Sequence, residues 1–238
     1  MEKLPSDNTR DERRTLGRYE LVDPRPIARE APYTFLLPTP AEIEALRIGD
    51  LVKLTFKSIP PSDKWNAERM WVRISEITPA GMIGTLEDDP SDMPQLERGA
   101  NVHFQPHHIL SIEFEEIANR DIPVVVGSKE YWERCLVDDC VLYDGVQVGF
   151  LYREFPDMAS DEDKYPDSGW RIRGDYRNLP DDVIGARKLS YVALGAVLNK
   201  DDSWIHLIDA PIGSAFNRDF ETGEYIAEQS PRDPEKMN

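Results

Sequence analysis

Short runs of alternating apolar and polar residues recur along the chain and predict a protein built mainly from β-strands. Five such runs lie in the first half, at 50–56, 68–77, 82–86, 100–104 and 108–114. A short helix at 39–46 precedes them, because Thr39 suits the N-cap and Pro40 suits the first helical position. The pattern over residues 31–118 therefore predicts a curled sheet or small half-open barrel with one short helix.

The second half has a different pattern, with turns between its apolar runs. Asp144-Gly145 between 141–143 and 146–152 is typical of a two-residue β-hairpin, and 169–173 predicts a third strand of the same meander. Residues 188–198 fit either a strand or a helix, while 204–208 favour a strand with His206 on its face. These features predict an antiparallel meander with one or two short helices.

The pattern divides the chain into two small β-rich domains of the α+β class. Residues 1–30 are polar and predict either a mobile arm or a lead-in that packs locally. The first domain is expected over 31–118 and the second over 119–229, with a disordered tail at 230–238.

Charge narrows the set of partners. The chain has 45 acidic and 28 basic residues and a net charge of −17. Counting along the sequence gives −7 for residues 31–118 and −10 for 119–229, while both terminal segments are balanced. This charge repels phosphate backbones and anionic membranes, so neither nucleic acid nor membrane is an expected partner. A basic protein partner would be attracted, although the charge could also serve solubility alone.

No sequence feature identifies a catalytic or metal-binding centre. The chain lacks a glycine-rich phosphate loop and a G-x-S-x-G elbow. Cys135 and Cys140 are too few for a tetrahedral zinc site, and the acidic pairs stand beside turns, where aspartate bonds locally. We therefore expect no enzymatic activity, no cofactor and no metal. The N-terminus lacks the apolar stretch of a signal peptide, which favours a cytoplasmic location.

Two stretches of the chain resemble known bacterial families. The blocks GDLVKL (49–54), ERMWV (68–72) and GTLEDDP (84–90) resemble the domain of unknown function numbered twenty-three fourteen, over about residues 31–115. The second half, over about 135–228, resembles immunity protein family thirty-three of polymorphic toxin systems. Its matching blocks are CVLYDG (140–145), VGFLYRE (148–154), DSGWR (167–171), LGAVLN (194–199) and DAPIGSAF (209–216). This resemblance implies a cytoplasmic protein that masks a cognate toxin and has no catalytic motif.

The candidate partner contacts are aromatic and charged residues. Trp65 lies in a polar, proline-containing loop, where an exposed tryptophan would be a binding anchor and core packing is the alternative. Trp170 and Arg171 stand near an acidic loop. The candidate residues in that loop are Asp161, Glu162 and Asp163.

Two other functions stay open on the sequence alone. One is a small-molecule-binding or regulatory module made of both domains. The other is an enzyme that uses carboxylates. Neither the composition nor the motifs indicate an oligomeric state.

Overall fold

The computed structural model describes residues 10–61, 64–116, 129–158 and 164–228. These residues form two compact units. The first contains the segment before residue 30 and the segment that starts at residue 37. The second contains residues 30–36 and the chain from 129 onward.

The first unit is a curled antiparallel sheet. Its helices and strands are α1 (Arg10–Leu16), β1 (Arg18–Leu21), α2 (Arg25–Glu30), α3 (Pro40–Glu44), β2 (Leu51–Ile59), β3 (Ala67–Thr78), β4 (Gly81–Leu86), β5 (Asn101–Phe104) and β6 (Ser111–Glu113). Neighbouring strands pair in the order β1-β2-β3-β4-β5, and β6 pairs with the beginning of β2. Because β2 pairs with three strands, the sheet closes partly on itself, which confirms the predicted curled half-barrel.

Side-chain alternation explains why this sheet has one buried face. Val52, Leu54 and Phe56 of β2 are fully buried, while the residues between them are only partly buried. At α3 the Thr39 hydroxyl accepts a hydrogen bond from the backbone N–H of Glu42 at 3.2 Å. The Glu42 carboxylate in turn accepts one from the Thr39 N–H at 2.7 Å, which confirms the predicted helix start.

The N-terminal segments lie in different units. Strand β1 pairs with β2, so over these residues the local-packing alternative holds rather than the mobile arm. Residues 30–36 belong to the second unit. There the Tyr33 N–H donates to Asn199 Oδ1 at 2.9 Å, and the Tyr33 hydroxyl donates to Asp202 at 2.7 Å. Residues 31–36, which the sequence pattern assigns to the first domain, thus lie in the second compact unit, and the domain bounds stay predictions.

The second unit is a six-stranded sheet with short helices. Its elements are β7 (Arg134–Asp138), α4 (Asp139–Tyr143), β8 (Val148–Arg153), β9 (Asp167–Gly174), α5 (Asp181–Gly185), β10 (Leu189–Ala193), α6 (Leu194–Leu198), β11 (Ala215–Arg218) and β12 (Tyr225–Ala227). The strand order is β10-β7-β9-β8-β11-β12. The β8–β9 pair is antiparallel as predicted, but β7 lies parallel to β9. The α+β class is confirmed with an antiparallel-dominated sheet, although the connection is not a simple meander.

The predicted hairpin at Asp144-Gly145 is wrong. Residues 139–143 form α4, and the N–H groups of Asp144 and Val146 both donate to the carbonyl of Cys140. Gly145 has a φ of 69°, so the glycine that favours a hairpin turn ends a helix instead. A helix end and a hairpin turn can both require a glycine in the left-handed conformation, so the sequence alone does not distinguish them.

Two further predictions change in the second unit. Residues 188–198 are both strand and helix, since β10 runs directly into α6. The strand expected at 204–208 is instead a 3₁₀ helix, Ile205–Leu207, with His206 exposed on it. Trp204 before this turn is fully buried, and its burial does not require an extended chain.

Candidate partner-binding surface

Trp65 is the most exposed tryptophan among the described residues, with 59% of its surface accessible. It lies in the loop between β2 and β3, where Asp92 accepts hydrogen bonds from the backbone N–H groups of Lys64 and Trp65. The core-packing alternative is therefore wrong for this side chain. Its position suits an anchor residue, and its role in binding stays a prediction.

Trp170 differs from its prediction, because it is fully buried in the core of the second unit. Its ring centroid lies 5.7 Å from that of Trp204, and its indole N–H donates to the carbonyl of Ile208 at 3.1 Å. The residue is in β9, and its side chain faces inward. Trp170 therefore stabilises the sheet and presents no surface to a partner.

Asp161, Glu162 and Asp163 lie outside the described residues.

Arg171 is the centre of a buried ion-pair cluster. Its side chain is 3% exposed. It donates to both oxygens of Asp167 at 3.0 and 2.9 Å, to Glu154 at 2.5 Å and to Asp157 at 2.8 Å. A further bond at 3.2 Å reaches the carbonyl of Trp170. The planar guanidinium thus connects β9 to the loop that follows β8.

The cluster favours the charged forms of Asp167 and Arg171. Burial alone would raise the pKa of the Asp167 carboxyl, but hydrogen bonds from Arg171 and from the Gly169 N–H outweigh it and hold this pKa below its usual value. Hydrogen bonding to Asp167 likewise raises the pKa of the Arg171 guanidinium. The carboxylates of Glu154 and Asp157 also pair with Arg171, and the Asp157 side chain is still largely exposed.

The lowered pKa of Asp167 predicts a pH-dependent stability. Its folded pKa lies below the unfolded value of about 3.9, so the stabilisation is complete above that value and is lost as pH falls through the folded pKa. We expect the difference in unfolding free energy between wild type and Asp167→Asn to be largest near neutral pH and to shrink below about pH 4. Urea unfolding between pH 7 and 3 measures this difference. Asp209 is exposed, so Asp209→Asn is the control, and its difference from wild type should not change with pH. A difference that stays constant over this range would contradict the assignment.

A second buried carboxylate, Asp138, lies where β7 ends. Its side chain is fully buried, and its Oδ2 accepts from the Gly174 N–H at 3.0 Å and from Arg187 at 3.1 Å. Arg173 Nε lies 3.3 Å from the other oxygen, within ion-pair distance but without a well-aligned hydrogen bond. Arg187 also donates to the carbonyls of Gly174 and Asp175 at 2.8 and 2.6 Å. Asp138 therefore fixes the segment that follows β9.

Strand register divides the connecting segments of this sheet between two ends. The first, the α5 end, contains the segments 139–147, 175–188 and 219–224. The second, the acidic-loop end, contains the segments 154–158, 164–166 and 210–214.

Exposed apolar side chains lie at both ends, with more at the α5 end. There they are Tyr143, Tyr176, Leu179, Val183 and Leu189. At the acidic-loop end the described ones are Phe155, Met158 and Ile212. The sequence does not predict the first group, because a short helix with scattered apolar residues gives no clear periodicity.

The chemistry of the described residues offers few catalytic groups. Burial raises the pKa of the Cys135 and Cys140 thiols, so neither is a reactive thiolate at neutral pH. No cluster of three or more His, Cys, Asp or Glu side chains in the described ranges could hold a metal ion.

An open depression of about 280 Å³ on the first unit is lined by residues of β3, β4 and β5 together with His108. Across the helices that the structure describes, none is long and apolar enough to cross a membrane.

Comparison with known proteins finds a family-model match to part of the chain. Residues 135–229 match the family model of the Immunity protein Imm33 domain, which confirms the resemblance of the C-terminal half. The match covers β7 to β12 and so includes both buried ion-pair clusters. Neither the curated proteins nor the solved structures include a significant match to the chain. The resemblance of residues 31–115 to a domain of unknown function stays a prediction.

Proposed function

We propose that this chain is a non-catalytic, immunity-like protein that binds a cognate toxin domain in the cytoplasm and masks it. The observation that carries the proposal is the immunity-domain match over the second unit. The second unit also has five exposed apolar side chains at one end of its sheet. Apolar groups that are exposed together are typical of a protein-binding surface.

The electrostatics support a basic partner. The net charge of −17 creates a negative potential that accelerates encounter with a positively charged domain. Toxins that act on nucleic acids need basic surfaces, and an acidic protein can compete for those surfaces. Binding by such a mechanism requires no catalytic group in the immunity protein.

The proposal predicts one-to-one inhibition of a toxin. The probe is a purified toxin-like domain, taken from the product of a gene adjacent to the one for this chain. We expect the full chain to bind it with a Kd of about 10 nM or below and to abolish its toxicity when both are expressed together. Titration should reach complete inhibition at one chain per toxin domain, measured by calorimetry and by residual toxin activity.

A protein of similar size and acidity but unrelated sequence is the control, and it should neither bind nor protect. Absence of both binding and protection with the full chain would refute the proposal. Full inhibition at much less than one chain per toxin would also refute it, because masking is stoichiometric whereas a catalytic antidote turns over.

We also propose that the first unit is a domain of the bacterial family numbered twenty-three fourteen. The support is the resemblance of the three sequence blocks, which lie in the structure at the start of β2, in β3 and at the end of β4.

A further inference from the structure

We infer that the α5 end of the second unit is the surface that docks a basic protein domain. The inference rests on the proposed function and adds to it the surface of contact. It depends on three properties of this end: exposed apolar groups, carboxylates with no ion pair among the described residues, and a backbone that buried hydrogen bonds hold in place.

The apolar groups include two tyrosines. Tyr143 is the last residue of α4 and is 72% exposed, although Val141 and Leu142 before it are buried. Tyr176 donates its hydroxyl hydrogen to Asn217 at 2.7 Å while its ring stays partly exposed. Leu179 lies just before α5 and is also exposed. Tyrosine is enriched at binding hot spots because it offers a large rigid apolar surface with a polar tip.

The exposed charge at this end is predominantly negative. The exposed acidic residues that have no ion pair within the described ranges are Asp144, Asp181, Asp182, Glu221 and Glu224. By contrast, Arg177 is paired with Asp175 and Arg187 with Asp138. Lys188 is also exposed at this end, and no ion pair with it is found among the described residues.

At the acidic-loop end, part of the acidic charge of the described residues is paired. Glu154 and Asp157 both form ion pairs with Arg171, although the Asp157 side chain stays 70% exposed. Lys164 is exposed on the same loop and adds positive charge. The α5 end combines an apolar centre with an acidic rim, and this combination suits a basic partner.

The backbone of the segment 175–188 is held at both of its ends. The Asp175 N–H donates to the carbonyl of Gln147 at 2.8 Å, and the Asp139 N–H donates to the carbonyl of Lys188 at 3.0 Å. Between them Arg187 binds Asp138 and two carbonyls. A surface fixed in this way loses little conformational entropy on binding, which favours tight association.

The test compares matched pairs of variants in the full chain. Leu179→Ala/Val183→Ala removes apolar surface at the α5 end, and Phe155→Ala/Ile212→Ala removes it at the acidic-loop end. Asp182→Lys reverses one exposed charge at the α5 end, and Asp209→Lys reverses one beside the other end. All these side chains are at least partly exposed, so each variant should keep the wild-type urea midpoint.

The probe is again the purified toxin-like domain encoded beside the gene. We expect Leu179→Ala/Val183→Ala to raise its Kd at least about tenfold, and Asp182→Lys to lower the association rate by about fivefold at low salt. The effect of Asp182→Lys should shrink as salt rises, because exposed charges are screened. Both control variants should stay within about twofold of wild type.

The outcomes separate the two proposals. If the wild-type chain binds the toxin-like domain but the α5-end variants bind it equally well, the surface assignment is wrong and the function stands. Loss of binding in Phe155→Ala/Ile212→Ala instead would place the interface at the acidic-loop end. If the wild-type chain does not bind the domain, the proposed function fails and this assignment fails with it.

Discussion

Replacing Arg171 with methionine is expected to lower the free energy of unfolding by about 3–5 kcal/mol. The guanidinium makes five hydrogen bonds, of which four go to carboxylates. Its removal leaves Asp167 with a fully buried side chain and no counter-charge. Methionine fills similar volume, so the loss measures charge and hydrogen bonding more than packing. Urea or guanidinium unfolding at pH 7 gives the value.

Arg171→Lys is the matched control. Lysine keeps the positive charge but has no planar fork, so it cannot bind Asp167 through two parallel bonds while reaching Glu154 and Asp157. We expect about half of the loss seen with methionine. Equal stability of the methionine variant and wild type would show that the cluster contributes no net stabilisation.

Strands β2 to β5 of the first unit could be predicted closely from sequence, because the alternation in each strand indicates which residues are buried. The sequence did not predict β1, α1 and α2. Alternation in 50–56 identified the buried face of β2, with Val52, Leu54 and Phe56 inside. The helix start at Thr39 followed from a local hydrogen-bonding pattern that needs no tertiary contact. Such signals are local, so one sequence suffices to read them.

The second unit could be predicted less well because its decisive contacts are distant in sequence. The parallel pairing of β7 with β9 joins segments separated by a strand, a helix and the acidic loop. Gly145 has the same left-handed conformation at a helix end as in a hairpin, so its local signal was ambiguous. Burial of Trp204 next to a 3₁₀ helix was equally compatible with a strand.

The candidate site shows the same limit. Sequence placed Trp170 and Arg171 near acidic residues, and Arg171 indeed binds three carboxylates. Their burial was not visible, since β9 has no alternating face and nearly all of its residues are inside. The exposed residues of the α5 end carry no periodic signal, and only the fold brings Tyr143 and Leu179 to the same end of the sheet.

Asp138→Asn is expected to lower the unfolding free energy by about 3 kcal/mol and also to loosen the α5 end. An amide can still accept from the Gly174 N–H, but it removes the charge that holds Arg187 and Arg173. Arg187 is 12% exposed, so its charge would stay largely buried without the Asp138 counter-charge. It would then hold the carbonyls of Gly174 and Asp175 less firmly.

The structural consequence of Asp138→Asn should be local as well as global. We expect faster hydrogen exchange in the amides of 175–188 under conditions where the variant is fully folded, and a Kd for the toxin-like domain raised by about tenfold.

Asp167→Asn is the matched control, because it removes a buried carboxylate at the opposite end of the same sheet. That control should destabilise the chain and accelerate exchange at 154–158, yet leave the Kd within about twofold of wild type. An equal loss of affinity in both variants would mean that binding depends on overall stability. Loss only in Asp138→Asn would connect the buried carboxylate, through Arg187, to the docking surface.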